Sequence, residues 1–439
     1  MTSSGCSLQR KPRLLAAWAG LLTLLLSACA LGSPARSEEL AFPSPVAIVP
    51  ASPPPLPTPT ATIPPPPTPT SPPPTPAPKP LPVESIGAIG AWTDRLTDAE
   101  RWLGFLDLAV GEAALAYRSN KNPLLIALAQ AQAYAAPPSD LEMLRNTRPE
   151  WLLYDRNRRP ALASADGQSP LLDIRNEFVR NFLAERVAQA VARGPYQGAL
   201  VTNVGDDLIR TSATPVFTGT RAFTENERRD AVEQLLRVLR DRLPDKVLII
   251  SGYAWRDGAA YAAHAQAAQQ LATFADGVHI EAFLRAPISR TNEFKPEAAW
   301  KRDIDFLSAI SQDNKIVLVS TRLPAEASAE DKERWLRYSV ASFLLGRNGN
   351  RTYFQFDAGD PALSADPYLS AAPGAPTAAY TKLPSGAYAR EFTNALVLVN
   401  PTSEQKRITL NAAYRTPQGT EVESAVTMGP FTGLILMKK

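Results

Sequence analysis

Residues 315–356, KIVLVSTRLPAEASAEDKERWLRYSVASFLLGRNGNRTYFQF, contain the pattern that decides the fold. Apolar runs at 315–321 and 352–356 have the length and composition of buried strands. Between them, Ser328 can cap a helix that Gly346 ends. The apolar residues of that helix form one stripe: Trp335, Leu336, Phe343 and Leu344. The stretch therefore predicts a strand–helix–strand unit of a parallel sheet.

The same alternation of strands and helices extends upstream. Further predicted strands span residues 86–92, 106–110, 124–129, 151–154, 199–204, 246–253 and 277–283. Two intervening helices have readable starts, because Asn176 can serve as an N-cap and Thr224 can form a capping box with Glu227. Their predicted apolar stripes are Phe178, Phe182, Leu183, Val187 and Val191, ended by Gly194, and Val232, Leu235, Leu236 and Leu239.

Repetition of this unit over residues 84–357 predicts an α/β fold and, from its length, a (β/α)8 TIM barrel. A doubly wound parallel sheet is the main alternative. The nucleotide-binding versions of that sheet lose support, because the chain contains neither G-x-G-x-x-G nor G-x-x-x-x-G-K-[ST].

The C-terminal part of the chain has a different pattern. Residues 358–389 are rich in Ala, Pro, Ser and Gly, which predicts a long loop. Short β segments at 395–400, 407–411, 422–427 and 432–437 then predict a small antiparallel β domain. The predicted domains are a signal peptide (1–28), a Pro/Thr/Ser-rich linker (29–83), the barrel (84–357), and the loop with the β domain (358–439).

The N-terminus has the layout of a secretory signal. Three basic residues precede an apolar run at 14–26, which is too short for a membrane span. The run ends in LSAC at 26–29, which resembles the bacterial lipobox and predicts lipidation of Cys29. Because each buried CH₂ of an acyl chain contributes about 0.8 kcal/mol, we expect Cys29 to anchor the chain to the extracytoplasmic face of the cell membrane. An ordinary signal peptide with an incidental cysteine is the alternative.

A proline-rich segment follows the signal. Of the 42 prolines, 20 lie between Pro43 and Pro82. Proline fixes φ and lacks an N–H, so the segment is predicted to be a polyproline II spacer that reaches on the order of 120 Å. A ligand for a proline-binding domain is the other interpretation.

The inventory of charged and metal-binding side chains excludes several functions. Three of the 46 basic residues lie in the predicted signal peptide and 43 residues are acidic, so the mature chain is expected to be neutral. That balance argues against a nucleic-acid partner. Only two His and two Cys are present, which argues against structural zinc and disulfides. We predict neither a metal site nor a cofactor.

Candidate catalytic residues follow from the strand ends, where the active-site groups of a barrel lie. Two predicted strands share a frame, GALVT at 198–202 and GVHIE at 277–281. Because side chains alternate along a strand, the residue four positions after each glycine lies on the glycine's face. We expect Glu281 at the catalytic mouth and His279 one layer below. The alternatives are a Glu281 that pairs with Arg285 and a His279 that is only a hydrogen-bonded core residue.

Other predicted strand ends carry aromatic and acidic side chains. They are Trp92 with Asp94, Tyr154 with Asp155, Tyr253 with Trp255, and Tyr353 with Asp357. Aromatic faces that stack on sugar rings, beside carboxylates, suit carbohydrate chemistry. The predicted sugar contacts are Trp92, Tyr154, Asn203, Tyr253 and Trp255. Ordinary packing of these rings is the alternative.

Five segments in order carry a resemblance to a known family. They are WLLYD at 151–155, LDIRN at 172–176, GALVTNV at 198–204, DGVHIEAF at 276–283 and ALVLVNP at 395–401. Their order and spacing resemble the glycoside hydrolase-like (β/α)8 barrels called hypothetical glycosyl hydrolase family fifteen, over about residues 86–438. The resemblance implies a carbohydrate-active barrel with Glu281 as its main catalytic carboxylate.

One position departs from that pattern. Such barrels usually show G-x-x-x-D on the fourth strand, where this chain has Thr202. Glycoside hydrolysis ordinarily uses two carboxyl groups, and Thr202 cannot ionise. Asp206 and Asp207 on the following loop, or Asp155 and Asp173 from neighbouring strands, are candidates for the second group. Loss of activity is equally consistent with the sequence.

Three functional hypotheses follow. The first is a membrane-anchored glycoside hydrolase that acts on an extracellular or envelope polysaccharide. The second is a catalytically inactive glycan-binding or structural lipoprotein on the same barrel, which Thr202 favours. The third is a solute-binding lipoprotein of a transporter, against which the long proline-rich stalk argues.

Overall fold

A computed structural model gives the structure of the chain. The predicted signal peptide, Cys29 and the proline-rich segment lie outside its described part. No helix in that part is long and apolar enough to cross a bilayer. The described residues are 87–90, 107–112, 114, 125–133, 135–162, 168–202, 204, 217–218, 221–222, 224–251, 269–285, 289–312, 315–359 and 366–439.

Eight parallel strands close into a barrel, which confirms the predicted fold class. Each strand pairs with its two neighbours in chain order, and the last strand pairs with the first. Closure excludes the open, doubly wound sheet. The strands are β1 (Gly87–Gly90), β2 (Leu108–Val110), β3 (Ile126–Gln132), β4 (Gly198–Thr202), β5 (Val247–Ser251), β6 (Gly277–Ile280), β7 (Ile316–Arg322) and β8 (Thr352–Asp357).

The register of the strands places the inward side chains in layers. Following the hydrogen-bonded pairs once around the barrel leads to a position eight residues further along the starting strand. This stagger is the shear of a (β/α)8 barrel, in which alternate strands contribute to each layer. The lower layers are mainly apolar and enclose buried residues such as Leu200, Ile249, Leu318 and Tyr353. A Cβ on Gly277 would lie 2.2 Å from the carbonyl oxygen of Ile316, so the tight barrel floor requires glycine there.

Helices cover the outside of the barrel. They are α1 (Leu141–Thr147), α2 (Glu177–Ala192), α3 (Glu225–Arg242), α4 (Glu297–Gln312) and α5 (Ala329–Gly346). All three predicted N-caps are confirmed: Asn176 accepts from the Phe178 N–H, Thr224 forms the complete capping box with Glu227, and Ser328 accepts from the Asp331 N–H.

Two local predictions were wrong. Residues 151–154 are not a barrel strand, because Trp151 ends a 3-10 turn and Leu152 and Tyr154 make only isolated bridges. They belong to the segment that connects β3 to α2, in which Leu152 and Leu153 are buried. Phe178 does not belong to the buried stripe of α2 and is 73% exposed. Val179 is buried in its place, together with the predicted Leu183, Val187 and Val191.

The C-terminal residues form antiparallel sheets, as predicted. Their strands are β9 (Thr381–Lys382), β10 (Tyr388–Glu391), β11 (Ala395–Asn400), β12 (Lys406–Thr409), β13 (Tyr414–Arg415), β14 (Glu421–Val422), β15 (Ala425–Met428) and β16 (Thr432–Lys438). The strands β12 and β15 pair with each other, and the other six form one sheet. The predicted loop 358–389 thus also contains β9 and the start of β10.

The C-terminal sheet packs tightly on α5. A Cβ on Gly433 would lie 2.4 Å from the Arg337 carbonyl oxygen, so only glycine allows β16 to approach the helix this closely. Beside this contact, Phe294 stacks between Trp335 of α5 and Phe431 of the β domain, with ring centroids 4.3 and 4.4 Å apart. The barrel and the terminal sheets therefore share an apolar core.

Candidate functional site

The mouth of the barrel, at the C-terminal ends of its strands, has a polar layer. In the sheet register, Ile280 of β6 pairs with Val319 of β7, and Val319 pairs with Phe354 of β8. The next residues along these three strands are Glu281, Ser320 and Gln355. A stagger of one residue per strand then puts Asp357 of β8 at the height of Glu281, and Thr202 of β4 at that height on the other side. The shared frame predicted for 198–202 and 277–281 is thus the layering of the barrel.

Glu281 follows β6 directly and points into the mouth. Its Oε1 lies 3.8 Å from Nδ1 of His279, which is on the same face of the strand, and the side chain is 34% exposed. The predicted alternative, a pair with Arg285, is not what the structure has. Arg285 instead donates to the carbonyl oxygens of Arg322 and Ser289.

The backbone after Glu281 is fixed by hydrogen bonds to neighbouring elements. The Phe283 N–H donates to the Ser320 carbonyl oxygen over 3.1 Å. Leu284 has a positive φ of 63°, and its N–H donates to the buried carboxylate of Asp303 on α4. That carboxylate also binds Lys295 over 2.6 Å. These bonds fix the backbone that follows Glu281, and functional sites depend on such fixed positions.

His279 lies at the start of a buried polar chain. It is fully buried, and its Nε2 lies 2.8 Å from the Ser320 hydroxyl, which donates to the Gln355 side-chain oxygen over 3.1 Å. Burial lowers the pKa of His279 to about 4, Glu281 opposes this shift, and Arg322 adds to it. His279 is therefore a neutral, hydrogen-bonded side chain beneath Glu281, as the alternative interpretation expected.

The neutral His279 makes stability depend on pH. The unfolded chain binds a proton near pH 6.5 and the folded chain only near pH 4, so this contribution is complete above pH 6.5 and is lost as pH falls towards 4. We expect the loss to be about 3 kcal/mol. Denaturant unfolding between pH 7.5 and 4 measures it, with His279→Gln as the comparison. Equal slopes for both proteins would contradict this origin.

Arg322 and Asp357 complete the mouth. They are paired in the β7–β8 register at the ends of their strands, and Arg322 Nε lies 3.6 Å from Asp357 Oδ2. The carboxylate of Asp357 is 44% exposed. Its charge is therefore balanced by Arg322 while it stays accessible from the solvent side of the barrel.

Thr202 ends β4, at the position where the family resemblance led us to expect an acid. Its hydroxyl donates to the Ala131 carbonyl oxygen over 3.2 Å and the residue is nearly buried. Thr202 thus ties β4 to β3 and presents no ionisable group to the mouth.

Asp155 does not end a barrel strand, in contrast to the prediction. It lies in the loop between β3 and α2 and accepts from the N–H groups of Asn157 and Arg159 over 2.8 and 2.9 Å. Arg159 also binds the carboxylate through its guanidinium. The Arg159 N–H is the largest cause that lowers the pKa of Asp155. These contacts organise a turn.

Asp173 lies in the same loop, whereas the sequence analysis placed it on a neighbouring strand. Its carboxylate accepts from Arg175 Nε and Nη2 over 2.9 and 2.8 Å, and Arg175 continues to Glu227 of α3 over 3.3 Å. The side-chain hydrogen bond to Asp173 is the main reason that the pKa of Arg175 is raised. This chain of charges links the loop to the start of α3.

Of the five predicted sugar contacts, only Tyr154 is among the described residues. Tyr154 lies on the β3–α2 loop, where its hydroxyl donates to the Pro149 carbonyl oxygen over 2.8 Å. The other predicted sugar contacts lie outside the described residues: Trp92, Asn203, Tyr253 and Trp255. The catalytic candidate Asp206 lies outside them too, and the roles of all five residues stay predictions. Among the residues that are described, no three His, Cys, Asp or Glu side chains form a group suited to a metal ion.

The sequence prediction missed Ser320, Arg322 and Gln355. All three are inward positions near the ends of β7 and β8, and two of them contact His279 or Asp357. The signal was present, because the alternation used for 277–281 also places Ser320 and Arg322 on the inward face of β7.

The fold and this mouth define a class of protein. It is a closed (β/α)8 barrel whose polar residues and carboxylates lie at the C-terminal ends of its strands, where barrel enzymes have their active sites. The family model described as hypothetical glycosyl hydrolase family 15 matches residues 127–396. The chain belongs to this family. The match is shorter than the predicted extent of 86–438, and it begins within β3.

Solved structures with similar folds include several glycoside hydrolases. The glycoside hydrolase domain of PelA from Pseudomonas aeruginosa is 16% identical, with a TM-score of 0.43, 66% of this chain and 99% of that chain covered. The maltogenic alpha-amylase AmyB from Thermotoga neapolitana is 12% identical, with a TM-score of 0.45 and coverage of 78% and 92%. Eubacterium rectale Amy13B is 11% identical, with a TM-score of 0.47 and coverage of 82% and 97%. No curated protein matches the chain.

Proposed function

We propose that the protein is a glycoside hydrolase that cleaves an extracellular or envelope polysaccharide. The observation that carries the proposal is Glu281, an inward and accessible carboxyl group at the mouth of a barrel that belongs to a glycosyl hydrolase family. The backbone beside Glu281 is held by the hydrogen bond from the Leu284 N–H to Asp303, and Arg285 binds the Arg322 carbonyl oxygen instead of pairing with Glu281. A positioned, solvent-reached carboxyl group is what protonation of a glycosidic oxygen requires.

Product release tests this activity directly. The purified chain is incubated with peptidoglycan, chitosan, amylose, cellulose and the producing organism's own envelope polysaccharide. New reducing ends on at least one of them are expected. If none of the five releases product, the hydrolase proposal is wrong.

A glycan-binding protein without activity is the second candidate, and Thr202 favours it. The hydroxyl of Thr202 is bound to the Ala131 carbonyl oxygen, at the position where the family resemblance led us to expect an acid. A binder would retain one of the five glycans without cleaving it, and Glu281→Gln would leave its affinity unchanged.

We also propose that Cys29 carries a lipid that holds the barrel at the extracytoplasmic face of the membrane, with residues 43–82 as the spacer. The support is the LSAC sequence at 26–29 after an apolar run. Detergent phase separation should place wild type in the detergent phase and Cys29→Ser in the aqueous phase. An unmodified Cys29 in a wild-type protein that stays aqueous would contradict the anchor.

A further inference from the structure

We propose that Asp357 is the second catalytic carboxyl group of this barrel. Glu281 protonates the leaving oxygen of a glycosidic bond, and Asp357 accepts a proton from the water that attacks the anomeric carbon. The inference rests on the proposed hydrolase function and assigns the group that Thr202 cannot supply.

The positions of the two carboxyl groups suit these roles. Glu281 and Asp357 lie at the same height on alternate strands, β6 and β8, and both side chains point inward. Strands are about 4.8 Å apart, so the two Cα atoms are about 10 Å apart across one quarter of the barrel. Carboxyl groups separated by about 6.5–9.5 Å admit a water beside the sugar, as inverting hydrolases require.

The two carboxyl groups also have different neighbours. Glu281 lies 3.8 Å from Nδ1 of His279, which is neutral and whose Nε2 lies 2.8 Å from the Ser320 hydroxyl. Asp357 instead lies 3.6 Å from Nε of the Arg322 cation. We therefore assign proton donation to Glu281, beside the neutral ring, and proton acceptance to Asp357, beside the cation.

Asp357 is also more accessible than the two other described candidates. Asp155 is bound by two N–H groups and a guanidinium and is 16% exposed, and Asp173 accepts a bidentate bond from Arg175 and is 13% exposed. Asp357 accepts the Gly359 N–H over 3.2 Å, has one ion-pair contact at 3.6 Å and is 44% exposed, so it can still reach a water.

The step is a single displacement. The bond from the anomeric carbon to the leaving oxygen breaks as Glu281 gives that oxygen its proton. The oxygen of water bonds to the anomeric carbon from the opposite face and loses a proton to Asp357. One water is consumed, two hydroxyl groups are formed, and proton exchange with solvent restores both side chains.

The test uses Asp357→Asn on whichever polysaccharide wild type cleaves. We expect kcat to fall by about 10²-fold or more, while glycan affinity and melting temperature stay close to wild type. Asp241→Asn, on the exposed end of α3, is the matched control and should keep wild-type kcat. Asp357→Glu keeps the charge but moves the carboxylate, so it should fold normally and also lose turnover.

Two further readouts separate the role of Asp357 from that of Glu281. Azide should rescue Asp357→Asn and form a glycosyl azide of inverted configuration, because azide needs no base. NMR of the wild-type product should show inversion at the anomeric carbon. Wild-type kcat in Asp357→Asn, or retention of configuration, would overturn the inference and leave the hydrolase proposal intact. Absence of any cleavage by wild type would instead overturn both.

Discussion

Glu281→Gln is expected to reduce turnover on a natural polysaccharide by about 10²–10⁴-fold, because general acid catalysis supplies roughly that factor. Glutamine keeps the shape of the side chain and its place above His279, so glycan affinity should change little. Reducing-end release and isothermal titration on the same polysaccharide measure the two quantities. A large loss of both would indicate a damaged mouth and not a missing proton donor.

The leaving group supplies a sharper form of this test. The phenolate of an aryl glycoside with an acidic phenol leaves without being protonated. Glu281→Gln should therefore regain most of the wild-type rate on such a substrate. Glu233→Gln, on the exposed side of α3, is the control and should resemble wild type on both substrates. Robust cleavage of natural polysaccharide by Glu281→Gln would remove Glu281 from the mechanism.

The elements that sequence could predict are those with local signals. The capping residues Asn176, Thr224 and Ser328 and the alternation in 277–281 act within a few residues, so they could be read without knowledge of the fold. Residues 151–154 misled the prediction, because a short apolar run is also compatible with a loop buried under its neighbours.

The candidate site could be predicted only in part, because it depends on long-range register. Glu281 follows from its own strand. That Asp357 shares its layer follows only once the order and stagger of all eight strands are known. The pairing of Asp155 with Arg159, and of Asp173 with Arg175, was equally hidden, although both partners are close in sequence.

Arg390→Met is expected to lower the free energy of unfolding by about 4 kcal/mol, because buried carbonyl groups that lose a partner cost about 1–3 kcal/mol each. Arg390 lies on β10 and is almost fully buried. Its Nη1 donates to the carbonyl oxygens of Leu344, Leu345 and Arg347 over 3.3, 2.7 and 2.6 Å. A side chain of the terminal sheet thus caps the C-terminus of α5.

This cap should remain charged at neutral pH. Burial, reinforced by the positive charge of Arg347, lowers the pKa of Arg390 only to about 10. The other guanidinium atoms bind the Ala378 carbonyl oxygen and the Asn348 side chain over 2.8 and 2.7 Å. A lysine could satisfy only some of these acceptors, so Arg390→Lys should have an intermediate stability.

Thermal and denaturant unfolding of full-length protein measure the effect, and a loss of this size should lower the melting temperature by about 10 °C. Arg407→Met, on the exposed β12 strand, removes the same atoms from the surface and should change stability by less than about 0.5 kcal/mol. Because Arg390 joins the terminal sheet to α5, deletion of the last 80 or so residues should destabilise the barrel still more. Equal melting temperatures for wild type and Arg390→Met would show that the barrel does not depend on this cap, and its dependence on the β domain would then rest on other contacts, such as the Phe294 stack, the Gly433 contact and the hydrogen bond from Tyr388 to Glu297.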